Sequence, residues 1–277
     1  MEGASFAIAL ANMTSTSKHP FLLPPTPAKN YIRCQPTFPW DSQRANELAC
    51  KPNAKATSLA LRVISTERAA LSYLETFYST NNGARESLSQ SITITVDTSR
   101  KHGNLIITGV GKSGKIGQKL VATFNSLGVQ SCFLHPTEAL HGDLGIIRPY
   151  DTVLILTSSG RTPELILLLQ HIPLTIPLIV LTSCSVRSTC EIVQLRPSSI
   201  LLPAPVHEPE KVSFGLPVPT TSTIALLAVG DGLALATADL LYTPSTRSPA
   251  EVFQRNHPGG AKPPVPMMPD LPTKIEA

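Results

Sequence analysis

A chain of 277 residues, 42% of them hydrophobic, is long enough for one large domain with a sizeable core. Its formal net charge of +4, with no basic run, excludes the electrostatic footprint of a nucleic-acid surface. The five cysteines (Cys34, Cys50, Cys132, Cys184 and Cys190) are odd in number and irregularly spaced. They give neither a disulfide framework nor a zinc pattern, so a reducing, cytoplasmic setting is expected.

Residues 1–57 hold seven prolines and no sustained periodicity, which reads as a disordered tail. Ala4–Ala11 is apolar, but Glu2 precedes it and no basic segment does, so a signal peptide is not expected. Glu2 and the scattered prolines argue against a transit peptide as well. From Ser58 the spacing of Leu59, Val63, Leu71, Leu74 and Phe77/Tyr78 predicts a helix that Asn81-Asn82-Gly83 stops. A second helix follows from Ala84 to about Ser99. Beyond Gly103, short β-rich runs alternate with helical ones. Strands are predicted at 104–108, 131–135, 152–157, 177–182 and 199–202. Helices are predicted at 113–127, 162–171 and 220–241, with a short one at about 249–254. Strands without alternation, separated by helices, imply α/β architecture with a parallel sheet covered on both faces. The apolar stretch Ile224–Leu241 carries Asp231 and Asp239, so a buried helix is expected there and not a membrane span. Pro and Met replace any periodicity after Gly260, giving a domain at 58–260 and a second tail at 261–277.

Two loops carry candidate chemistry. Gly109-Val110-Gly111-Lys112-Ser113-Gly114 joins the first strand to a helix, whose start offers free N–H groups to an anion. The phosphate-loop pattern of nucleotidases fails, because it needs glycine where Ile106 stands. A dinucleotide fingerprint matches Gly109, Gly111 and Gly114, but the second strand ends in His135-Pro136 without the acid that would hold a ribose. What remains is a loop for a sugar or its phosphate, with Lys112 as added charge, or a glycine-rich turn that holds nothing. The second loop, Thr157-Ser158-Ser159-Gly160-Arg161-Thr162-Pro163-Glu164, opens another helix. Its hydroxyls and N–H groups suit a phosphate monoester without metal, although Thr162 as an ordinary helix cap among loop serines would explain it too.

The ordered set of motifs is more specific than either loop. After Gly109–Gly114 come His135-Pro136 with Glu138, His141-Gly142-Asp143-Leu144-Gly145, Ser159-Gly160 with Glu164, Pro219-Thr220-Thr221-Ser222-Thr223 with Gly230-Asp231, and His257-Pro258-Gly259-Gly260-Ala261. This resembles the SIS-domain D-arabinose-5-phosphate isomerases over roughly two hundred residues. The resemblance implies a three-layer α-β-α sandwich with a five-stranded parallel sheet, of flavodoxin-like kind. It implies interconversion of D-arabinose 5-phosphate and D-ribulose 5-phosphate through an enediol, with no cofactor and no metal. It implies catalytic roles for Lys112, His141, Glu164, Glu210 and His257. Substrate and phosphate contacts would fall to Gly111, Ser113, Ser158, Ser159, Gly160, Thr162, Thr220, Thr221 and Ser222. A carboxylate can carry the carbon-bound proton, a histidine can shuttle between oxygens and Lys112 can steady an oxyanion.

Three departures qualify the resemblance. Arg161 and Ser158 stand where the family usually has Glu and Asn. Val206-His207-Glu208-Pro209-Glu210 offers two carboxylates for one family position, and Glu210 lies nearer the Phe214-Gly215 turn. Lys262-Pro263-Pro264 replaces the continuation toward a paired CBS module, so regulation of that kind is not expected. The implied partners are a sugar phosphate and further copies of the chain, as dimer or tetramer, because the stripe around Leu71 and Leu74 needs cover. No nucleic acid and no membrane is expected. The alternative is a non-catalytic phosphosugar-binding module. A sensor would need only the phosphate loop, so retention of Lys112, His141, Glu164 and His257 together favours the enzyme.

Overall fold

The apolar runs that lack alternation become strands covered on both faces. In the computed structural model, which describes residues 42–242 and 247–259, the strands are β1 (Leu105–Gly109), β2 (Ser131–Phe133), β3 (Thr152–Thr157), β4 (Leu178–Thr182) and β5 (Ile200–Pro203). Every residue of β1, β3 and β4 is buried. The five strands form one sheet in the order β2-β1-β3-β4-β5, and all four pairings are parallel. Because successive strand side chains point to opposite faces, the sheet separates two cores. Leu105, Ile107, Leu154, Leu156, Ile179 and Leu181 join one of them, and Ile106, Val153, Ile155, Leu178 and Val180 join the other. Each fully buried Leu or Ile contributes about 1.5–3 kcal/mol. The α/β, three-layer expectation is met.

Nine α-helices are described: α1 (Ser42–Thr80), α2 (Asn82–Arg100), α3 (Gly111–Ser126), α4 (Pro136–Ala139), α5 (Pro163–Leu169), α6 (Glu191–Leu195), α7 (Glu210–Phe214), α8 (Thr221–Leu241) and α9 (Pro249–Asn256). The domain boundary expected at Ser58 falls inside α1. Residues 1–41 and the expected tail at 261–277 lie outside the described residues. Asn81 does more than stop α1: its side chain accepts from Ala84 N at 2.9 Å and starts α2. From residue 53 on, the side chains that α1 buries lie in its later part. Ala70 and Leu74 are buried, and Tyr78 donates its hydroxyl to Pro203 O at 2.7 Å, whereas Leu59, Leu61 and Ile64 are exposed. Burial pushes the Tyr78 phenol up.

Helix α8 has the length and apolarity to cross a membrane, but here it packs on α2 and α3 with Ala225, Leu226, Leu233 and Ala234 fully buried. A side chain at Gly230 would meet Leu120 at 2.5 Å, so glycine is what lets α8 approach α3. The two helices run in the same direction. Lys119 and Asp231 pair at 2.5 Å midway along them, and the Tyr242 hydroxyl donates to Gly128 O at 3.0 Å near their ends. Tracing both helices back from these contacts brings Gly111 and Thr221 to the same end of the molecule.

Candidate functional site

The strand order fixes where a ligand can enter. The chain passes from β1 outward to β2, then crosses back to β3, so β1 and β3 part company at their carboxyl ends and open a crevice. Open α/β sheets bind their ligands at this topological switch point. Gly109 is in register with Leu156 on these two strands, so both candidate loops leave the sheet side by side.

The loop after β1 is shaped by close approach of backbone. A Cβ at Gly114 would lie 2.7 Å from Gly109 O, and one at Gly109 would lie 3.0 Å from Leu156 O. Gly111 has φ +58°, the left-handed region, and opens α3. Val110 occupies the cap position without a side-chain hydrogen bond, so the first N–H groups of α3 keep their capacity for an oxygen ligand. The glycine pattern thus has a steric cause within the chain, independent of any dinucleotide. Lys112 and Ser113 follow on the first turn, Lys112 exposed.

The loop after β3 is cross-braced by hydroxyls. Thr157 and Thr162 share a hydrogen bond at 2.9 Å, and Gly160 N donates to Thr157 Oγ1 at 3.2 Å. Ser158 Oγ is bonded to Ser183 Oγ at 3.1 Å, while the Thr182 hydroxyl donates to Ser158 O at 3.2 Å. Ser159 is exposed and accepts from Arg161 N at 3.3 Å. Thr162 occupies the cap position of α5, yet its hydroxyl faces Thr157 and makes no cap bond, so ordinary capping does not account for it. Pro163 and Glu164 then start α5, with Glu164 exposed.

His141 lies on the turn after β2 and α4, at the same carboxyl edge, where Gly142 has φ +130°. Lys112, His141 and Glu164 therefore come from loops that follow three adjacent strands, β1, β2 and β3. Among the described residues, no hydrogen bond or ion pair engages any of the three side chains.

The other two expected catalytic groups are engaged. Glu210 Oε1 accepts from Ser222 N at 2.9 Å, Ser222 Oγ at 2.5 Å and Thr220 N at 3.3 Å. It serves as the N-terminal cap of α8, a role that the Thr220 side chain does not fill. Burial works to raise its carboxyl, but the Ser222 and Thr220 donors outweigh burial and hold it below the usual carboxylate range. Of Thr220, Thr221 and Ser222, expected to contact substrate, the first and last hold this carboxylate, and the Thr220 and Thr221 hydroxyls have no hydrogen-bond partner among the described residues. Glu208 instead accepts from the Ser213 hydroxyl.

His257 is engaged at the far end of α3 within its own chain. Its Nδ1 is 2.8 Å from Phe253 O, its Nε2 is 3.3 Å from Ser126 Oγ, and its ring stacks on Phe253 at 4.0 Å. Asn256 fixes the same region by donating to Asn125 O and Ser126 O. Ser126 ends α3 while Lys112 begins it, a separation of about 20 Å at 1.5 Å per residue. The structure does not bring His257 to the Lys112 edge of its own chain.

Sequence reasoning missed the supports of the second loop. Thr182 and Ser183 brace it from β4, and Cys184 and Cys190 lie beneath it, the Cys184 thiol donating to Ser159 O at 3.4 Å. A threonine ending each of the neighbouring strands β3 and β4 was the available signal. Among the described residues no cluster of three or more His, Cys, Asp and Glu side chains could hold a metal ion.

Comparison with known proteins agrees with this fold. The family described as SIS domain matches residues 99–188, which span β1 to the end of β4 and both candidate loops. The chain carries a SIS domain. Arabinose 5-phosphate isomerase KdsD of Escherichia coli O6:H1 is 40% identical over 165 residues, covering 57% of this chain and 45% of that protein. The Yersinia pestis protein of the same name is 41% identical over 162 residues, covering 58% of this chain and 46% of the relative. The chain thus spans about half the length of the curated relatives it matches. Among solved structures, an Escherichia coli CFT073 protein in complex with arabinose 5-phosphate superposes with a TM-score of 0.57 at 29% identity, covering 74% of this chain and 99% of that one.

Proposed function

We propose that the chain is a sugar-phosphate isomerase that interconverts D-arabinose 5-phosphate and D-ribulose 5-phosphate. One observation carries the reading. Three uncommitted groups of complementary type (an ammonium, an imidazole and a carboxylate) stand on successive loops at the switch-point edge, beside a loop of braced hydroxyls. The similarity to proteins named arabinose 5-phosphate isomerase supports the choice of sugar.

In this reading the phosphate lies on Ser158, Ser159 and Thr162 with the N–H groups around Gly160. The sugar extends toward α3, with Gly111 and Ser113 at its oxygens. Glu164 takes the proton from C2 of the open-chain aldose and returns it to C1, while His141 moves a proton between the two oxygens. Lys112 stabilises the enediolate oxygen, whose charge is larger in the transition state than in the substrate. Glu210 acts indirectly, holding the start of α8 against the cleft. His257 serves the cleft of a neighbouring copy, which accounts for its distance from Lys112 in one chain. The exposed Leu59, Leu61 and Ile64 on α1 supply apolar surface for that assembly.

The non-catalytic phosphosugar-binding module remains the second reading. The engagement of Glu210 and His257 within the chain favours it. A direct assay of ketose formation from a panel of aldose 5- and 6-phosphates separates the two. The isomerase predicts turnover of arabinose 5-phosphate above the others, and binding without turnover of any member leaves the module.

A further inference from the structure

Gly160 sits over two sulfur atoms. It has φ +68°, and a Cβ built there would lie 2.7 Å from Cys190 Sγ and 3.2 Å from Cys184 Sγ. Both thiols therefore reach one point beneath the hydroxyl loop. The Cys190 thiol donates to Gly160 O at 3.9 Å, and Ile192 N donates to the same carbonyl at 3.0 Å. Cys184 Sγ lies 3.4 Å from Ser159 O and 3.5 Å from Thr189 O, the residue before Cys190. The segment 184–190 leaves β4, turns through a short 3-10 helix and returns, so the thiols face each other although nothing in their spacing marks them as a pair.

We propose that Cys184 and Cys190 are a dithiol site that reacts with a small-molecule disulfide to form a reversible intrachain disulfide, releasing the hydroxyl loop from its sulfur supports. The two thiols have the unequal roles that such exchange requires. Cys184 is partly exposed and Cys190 fully buried. The Cys190 thiol beside it draws the Cys184 thiol down to about 6 despite its burial, with Thr182, Thr189 and Arg161 adding to the effect. The same contact and burial push Cys190 up. Cys184 is thus the attacking thiolate and Cys190 the resolving thiol.

The steps balance. The Cys184 thiolate attacks one sulfur of RSSR, forming a mixed disulfide and expelling RS⁻. Cys190 then gives up its proton and attacks the Cys184 sulfur, forming the intrachain bond and expelling the second RS⁻. Starting from the Cys184 thiolate, the protein loses two electrons and the Cys190 proton, and RSSR becomes RS⁻ and RSH. The Cys190 S–H is lost and the two sulfurs are drawn into one bond, so Gly160 O loses its sulfur donor and the sulfur packing beneath Ser159 changes. The consequence for phosphate binding rests on the function proposed above, but the bond and the loop's response do not.

The test treats the full chain with oxidised glutathione, blocks free thiols and maps peptides by mass. The expected product is a Cys184–Cys190 link with the loss of two hydrogens, reversed by dithiothreitol. Amide exchange at residues 159–161 should quicken by about tenfold in the oxidised chain, because the loop opens more often once its supports are gone. In Cys190→Ala, and in Cys190→Ser should the first variant fold poorly, the reaction should halt at a glutathione adduct on Cys184. Unreacted thiols in the parent, a glutathione adduct without the link, or a link that leaves exchange at 159–161 unchanged would each overturn the proposal. Arabinose 5-phosphate affinity is measured alongside, with about a fivefold loss expected on oxidation. A reduced chain that binds no sugar phosphate would refute the functional reading, while mass and exchange still decide the dithiol site.

Discussion

The loops that end β1 and β3 lie side by side but are built on opposite plans. The first is backbone alone: its shape follows from glycines at 109, 111 and 114, and the start of α3 is left uncapped. The second is a lattice of side chains in which Thr157, Ser158, Thr162, Thr182 and Ser183 bond one another. A glycine turn is held by what would clash, so it fails abruptly. A hydroxyl lattice is held by several modest bonds, each of about 0.5–1.5 kcal/mol, and fails by degrees. Under the proposed function that difference would suit a division of work, with Lys112 beside the rigid turn and the phosphate on the braced loop.

The largest effects should come from the groups proposed to move protons. Glu164→Gln should lower kcat by about 10²–10⁴ with little change in KM, since it removes a proton-transfer group and leaves the hydroxyl lattice intact. Steady-state kinetics beside circular dichroism checks it, and near-parental kcat would return the site to a binding module. His257→Asn should lower kcat similarly. Mixing it with inactive Glu164→Gln should restore part of the activity if His257 serves a neighbouring copy, and no recovery would place it outside the chemistry of any cleft.

A smaller effect is expected at the braced loop. Ser159→Ala should weaken arabinose 5-phosphate binding by about 1.5–3 kcal/mol through loss of one charge-assisted hydrogen bond, read by calorimetry. Arabinose without phosphate should bind far more weakly than its 5-phosphate, and equal affinities would remove the phosphate from this loop. At the glycine turn, Gly114→Ala should cost about 1–3 kcal/mol of stability, because its Cβ has backbone and not a yielding side chain at 2.7 Å. A denaturant midpoint unchanged from the parent would show that the turn yields after all.

The smallest effect concerns Glu210. Its carboxyl is held below the usual range in the folded chain, so the cap contributes fully above the unfolded value near 4.3 and is lost as pH falls through the lower folded value. Thermal melts should therefore show the parent losing its advantage over Glu210→Gln below about pH 4, and an advantage independent of pH would contradict the cap.

What the sequence made legible follows the same divide. The five strands and both loops announce themselves because unbroken apolar runs, glycines and hydroxyls act locally. The Asn81 turn was half legible: a polar Asn-Asn-Gly ends one helix, but the cap that starts the next at Asn82 leaves no separate mark. Glu210 and His257 could be picked out by type, not by employment. The first reaches α8 from the far side of a turn, and the second docks on a helix more than a hundred residues earlier. Such partners are set by tertiary packing, which no local pattern records. Resemblance carried both residues into the candidate site, and only geometry distinguished them from Lys112 and Glu164.

The two parallel helices α3 and α8 offer an approaching ligand opposite greetings. Both point the positive ends of their dipoles at the cleft. On α8 that charge is already answered by Glu210, while on α3 it is reinforced by Lys112. Under the proposed function, a sugar phosphate would meet a lopsided potential, attractive along Lys112 and Arg161 and muted at α8, so its dianionic end would be steered away from α8 toward the loops after β1 and β3.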